Sequence, residues 1–112
     1  MQVGIIARIV VRRWKVRDKM KIKICGIPHE IIQVGDKFDA DCHFGQINYK
    51  ECKIYINKDM TDEVKWETIC HECLHAMLVH LGFNDQAQDE HLVQALGNAI
   101  YQSFDIKVVK DD

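Results

Sequence analysis

His71, Glu72 and His75 fall within Cys70-His71-Glu72-Cys73-Leu74-His75, an H-E-x-x-H pattern. Two residues four apart on an α-helix lie about 40° from each other around its axis, so both imidazoles face one way. Such a pair can take one Zn²⁺ from the same side. Glu72 is turned about 60° further, beside such an ion, where a carboxylate can act as general base.

The flanking residues must form the helix that presents these groups. Counted at 100° per residue, Trp66, Ile69, Cys70, Cys73, Leu74, Met77, Leu78 and Leu81 fill one broad arc, and His71, Glu72 and His75 lie off it. Asp59, Thr61, Asp62 and Glu63 supply capping and first-turn acids. Gly82, followed by Phe83, is suited to the C′ position. The spacing predicts a helix from about Thr61 to Leu81, roughly 30 Å long. The alternative is a surface helix with solvated histidines.

A catalytic zinc site usually has three protein ligands and an open position. After the short turn Phe83-Asn84-Asp85-Gln86 a second helical pattern puts Leu92, Val93, Leu96, Ala99, Ile100 and Phe104 on one arc. Asp85 reads as its N-cap, with Gln88 completing a capping box. A connection this short makes the helices antiparallel neighbours. Glu90 then faces the histidine edge and is the preferred third ligand. His91 is the alternative, since imidazole also suits zinc. Read alone, Glu90 is a first-turn acid stabilised by the helix dipole. Gly97, on the ligand side, would let the helices approach closely.

The stretch from Ile47 to about Ser103 resembles short phage and bacterial zinc metallopeptidases, the minimal zincins of the ImmA/IrrE type. The resemblance is carried by Gly45-Gln46-Ile47-Asn48-Tyr49, Ile54-Tyr55-Ile56, Thr68 to Ala76 and Asp89-Glu90-His91-Leu92-Val93. It covers about half the chain, and only H-E-x-x-H with a downstream Glu is specific. It implies one Zn²⁺ per chain, a small α+β fold, and a protein or peptide substrate. His71, His75 and Glu90 would be the ligands and Glu72 the general base. His43, Tyr49, His91 and Tyr101 stand open as oxyanion or substrate contacts.

Before the helices the chain reads as strands. Lys21-Ile22-Lys23-Ile24-Cys25 alternates charged and apolar residues, and Gly26 and Pro28 end it. His29 to Val34 is a second short strand, Phe38 to His43 is irregular or strand-like, and Phe44–Tyr49 with Cys52–Ile56 forms a hairpin around Lys50-Glu51. The strand Cys52–Ile56 could pair with an extended substrate. Asp105 to Val109 is a candidate last strand, and Lys110 to Asp112 should fray. Strands first and helices second predict an α+β fold, a small and mostly antiparallel sheet followed by the antiparallel helix pair.

The 112 residues suit one domain. Residues 1–23 hold eight of the fifteen Lys and Arg and one of the seventeen acids, Asp18, so the remainder carries seven bases and sixteen acids, a net −9. Residues 1–19 therefore read as a basic extension ahead of a domain at 20–112. Such a leader could meet nucleic acid or an anionic surface, or be a terminal element with solvated arginines. Its apolar part, Val3 to Val11, is interrupted by Arg8 and too short to span a bilayer. It also has no small-residue cleavage site, which argues against a secretory signal.

The five cysteines, Cys25, Cys42, Cys52, Cys70 and Cys73, are an odd number suited to a reducing cytosol. Cys70 and Cys73 project toward the core arc and read as buried apolar filler rather than a zinc knuckle. His29 and His43 read as loop residues, and His80 as a residue of the helix C-terminus opposite the metal face. Two other functional classes fit the same residues. A zinc-stabilised binding module would unfold on metal loss and ignore Glu72→Gln. A nucleic-acid-associated protein would work through residues 1–19 and bind with steep salt dependence.

Overall fold

The computed structural model describes residues 15–35 and 44–109. The stretch 36–43, with Cys42 and His43, lies outside the described residues, as do Arg8, Arg12, Arg13 and residues 110–112.

The fold is α+β. Strand β1 (Lys21–Ile24) buries Ile22 and Ile24 and exposes Lys21 and Lys23, the two-residue period of a half-buried strand. Cys25 and Gly26, at φ 52° and 83°, turn the chain tightly into β2 (Ile27–Val34). A two-residue hairpin loop of this kind needs positive φ at both positions. Strands β3 (Gly45–Asn48) and β4 (Lys53–Asn57) form the next hairpin.

The sheet runs β1-β2-β4-β3. Its two outer pairings are antiparallel, but β2 and β4 pair in parallel, Ile31 beside Ile54 and Gln33 beside Ile56. The sheet is therefore mixed. The strand expected to receive an extended substrate, β4, is interior and hydrogen-bonded on both sides, whereas β3 is an edge. Val108 bridges to Ile22, bringing the tail alongside β1.

Helix α1 (Asp62–His80) packs on the sheet. Trp66, Ile69, Cys73 and Ala76 meet Ile22, Ile24, Ile31, Ile54 and Ile56 in one core. Val16 and Met20 belong to that core, so packing takes in part of the stretch read from sequence as an extension. Gln33 holds this segment in place. Its backbone N–H donates to Asp18 at 2.8 Å, and its side chain donates to the Val16 carbonyl and accepts from Lys65.

Thr61 caps α1 by accepting from the Val64 N–H at 3.3 Å. At the other end Gly82 takes φ 88°, its N–H donates to the Val79 carbonyl and that of Phe83 to Leu78. This is the Schellman pattern, which satisfies carbonyls the helix leaves unpaired. Leu81, expected on the core arc, is the exposed C-cap.

The connection to the last helix departs from expectation. Asn84–Ala87 forms a separate turn, α2, and the long helix α3 runs Glu90–Ser103. Its cap is Asp89, not Asp85: Asp89 is extended and accepts from the Leu92 N–H at 3.1 Å. The buried face of α3 is also rotated from the expected arc. Val93 and Gly97 are buried, while Leu96 and Ala99 are exposed and Phe104 is 67% exposed. A Cβ on Gly97 would sit 3.3 Å from the His71 Cα. Close approach at that glycine, rather than the bulk of the leucines, sets which face meets α1.

Candidate metal centre

Helix α1 carries His71 and His75 one turn apart, and α3 begins with Glu90. Ala87, at the end of α2, meets His75, and Gly97 of α3 lies beside His71. Glu90 consequently meets both imidazoles. Its carboxylate lies 3.0 Å from His71 Nε2 and 3.2 Å from His75 Nε2. The two Nε2 atoms are 3.2 Å apart. One ligand atom from each of the three falls within 4.8 Å of the others, so the group could hold a metal ion.

The outer nitrogens explain why the inner ones converge. His75 Nδ1 donates to the Ala87 carbonyl at 2.7 Å. His71 Nδ1 lies 2.9 Å from Gln94 Oε1, to which it donates. With both protons on Nδ1, both Nε2 lone pairs point inward at each other and at a carboxylate. Three electron-rich atoms at that spacing need a cation or a proton among them. Two imidazoles and one carboxylate, each imidazole steered by an outer hydrogen bond, are a donor set that suits a transition-metal ion.

Glu72 is not among the three. Its side chain is 6% exposed and lines the same cleft. Burial, and secondarily Glu90, push its carboxyl from 4.5 up to about 7. A carboxyl so placed can hold or release a proton near neutrality. The cleft has a volume of about 600 Å³. Phe44, Ile47 and Tyr49, from β3 and its flanks, form its apolar wall. Burial, then Glu72 and Glu90, raise the Tyr49 phenol, which therefore stays protonated as a donor. Gly45 brings β3 hard against α1, since a Cβ there would lie 2.6 Å from Thr68 Cγ2.

The remaining predicted residues separate. His91 is exposed and outside the three-ligand group. Tyr101 is half-buried against the core and does not line the cleft. His43 lies outside the described residues. His29, read as a loop residue, is fully buried on β2. Cys70 and Cys73 are buried thiols, and burial, then Cys70 and Glu72, push the Cys73 thiol well up, opposite to what redox or thiolate chemistry needs. The sequence reading missed Gln94 and the Ala87 carbonyl. The spacing signal for Gln94 was present, since it stands four residues after Glu90 and so on the same face.

No family model matches the chain, and neither does any curated protein or solved structure. The resemblance to minimal zincins thus rests on the sequence motif alone.

Proposed function

We propose that the chain is a zinc-dependent peptidase, with His71, His75 and Glu90 as ligands and Glu72 as general base. The observation that carries the proposal is the placement of Glu72. It is a buried carboxyl with a raised pKa, on the cleft floor one residue from a three-ligand group, and none of the three ligand contacts involves it. A metal-stabilised binding module has no need of such a group.

Zinc bound there would supply Lewis acidity to a water and a substrate carbonyl. Glu72 accepts the proton of the attacking water and passes it to the departing amine. Ala87 and Gln94 keep the two imidazoles in the tautomer that presents Nε2. Tyr49, kept protonated, is the donor on the cleft wall for developing oxyanion charge. An extended peptide would lie along β3, the sheet edge in the cleft, by strand addition.

A protein or peptide substrate follows from this reading, and the odd number of cysteines favours a cytoplasmic site of action. Among the described residues no helix is long and apolar enough to cross a membrane. The test is elemental analysis of protein purified without a chelating tag, followed by hydrolysis of a mixed peptide library. Wild type should carry zinc and cleave. Glu72→Gln should keep the metal and lose cleavage. Loss of zinc in Glu72→Gln would reverse the assignment of ligand and base.

A further inference from the structure

A second pair of histidines repeats the arrangement of the first, elsewhere in the fold. His29 projects from the inner face of β2 and is fully buried, and His80 ends α1 and is exposed. The rings are edge-on, with centroids 5.5 Å apart and planes at 82°, against 4.9 Å and 66° for His71 and His75. The facing atoms are again the two Nε2, now 3.5 Å apart. His29 Nδ1 donates to the Ile27 carbonyl at 2.7 Å, as His75 Nδ1 does to Ala87. A neutral His29 therefore carries its proton on Nδ1, and its Nε2 presents a bare lone pair to His80.

Two readings of that contact can be weighed by distance. Hydrogen bonds donated by N–H to oxygen run about 2.7–3.2 Å and those to nitrogen only slightly longer, so 3.5 Å is a stretched one. Two imidazole nitrogens on one tetrahedral ion, each about 2.0–2.1 Å from it, stand about 3.3 Å apart. The spacing suits an ion better than a proton. A buried imidazole locked by a backbone carbonyl is also the outer-shell support that metal-binding histidines usually have.

We propose that His29 and His80 form a second metal site, for divalent transition ions that favour imidazole. Both donors are neutral nitrogens, which suit Zn²⁺, Ni²⁺ and above all Cu²⁺, and disfavour Mg²⁺ and Ca²⁺. Among the described residues no third His, Cys, Asp or Glu joins the pair in a ligand group. Water completes the shell on the exposed side, so the site is weaker than the three-ligand centre and fills after it. His80 lies about 140° around α1 from His75 and about 7.5 Å along its axis, so the two sites are separate. An ion there joins the last turn of α1 to β2, and its effect is to staple helix to sheet.

The site is tested by titrating Zn²⁺ into chelator-stripped protein, following heat release and histidine ring ¹⁵N shifts. Wild type should show two steps. The second should move the ring nitrogens of His29 and His80 and raise the melting temperature again. His80→Ala should lose the second step and keep the first unchanged. Glu90→Ala should weaken the first and keep the second. Because His80 is exposed, its removal leaves the core intact, and His80→Gln provides an independent variant. The proposal is overturned if wild type stops at one equivalent in millimolar Zn²⁺. It is equally overturned if both His80 variants retain the second step.

Discussion

Replacing Glu72 by Gln should stabilise the metal-free protein, and by an amount that grows with pH. The folded state holds the Glu72 proton more tightly than the unfolded chain, because burial, and then Glu90, raise its carboxyl from 4.5 to about 7. Between those values the folded protein binds more protons than the unfolded one, so stability falls as pH rises. Below pH 4.5 the site costs nothing, and above pH 7 the full penalty is present. At about 1.4 kcal/mol per pH unit the gap amounts to about 3 kcal/mol. Glutamine does not titrate, so any fixed difference between the side chains cancels in the pH dependence. Urea unfolding in chelator, at intervals from pH 5 to 8, should show the variant gaining on wild type until about pH 7 and then levelling off. Saturating zinc should shrink the gain, because the cation offsets the carboxylate charge. Parallel stability curves for the two chelated proteins would refute the account of Glu72 as a buried acid.

Glu90→Ala should weaken zinc binding by orders of magnitude, whereas His91→Ala should leave most of it, as read by competition with a chromogenic chelator. Gly97→Val pushes a side chain into the His71 backbone, 3.3 Å from where its Cβ would stand. It should cost about 1–3 kcal/mol in denaturant unfolding and lower zinc affinity too, because α3 carries Glu90. Thr61→Ala removes the cap on α1. It should cost about 1 kcal/mol and leave zinc affinity unchanged, which separates stability from site geometry.

What the sequence disclosed was local chemistry. Thr61 and Gly82 mark the ends of α1 because capping depends on side chains within a few residues. The alternation from Lys21 to Ile24 marks β1 for a similar reason. The site was legible where helical phase alone decides position, which holds for His71 and His75 within one helix. Pairing was less legible. Ile54 and Ile56 are buried whichever neighbour β4 takes and in either direction, so nothing local announces its parallel partnership with β2. The arc of large apolar residues placed Leu96 and Phe104 inward, where both are exposed, whereas Gly97, expected as the point of close helix approach, does sit at the contact. Asp85 and Asp89 are chemically the same cap, and only the fold selects the second. His29 reads both as the start of the second strand and as a loop residue, and β2, which begins before Pro28, bears out the first.

The three residues that could hold a metal ion, His71, His75 and Glu90, fall within one twenty-residue stretch of the chain. Closing so short a segment forfeits little chain entropy, and none of the donors comes from the sheet. Helix pairing of low sequence separation also tends to form earlier than the non-local pairing of β2 with β4. If the proposed assignment holds, zinc present during refolding from denaturant should therefore be captured while the sheet is still incomplete. The same locality sets a limit. An unfolded chain that keeps a nascent helical hairpin retains part of its affinity, so added zinc should raise the unfolding free energy by less than its affinity for the native protein implies.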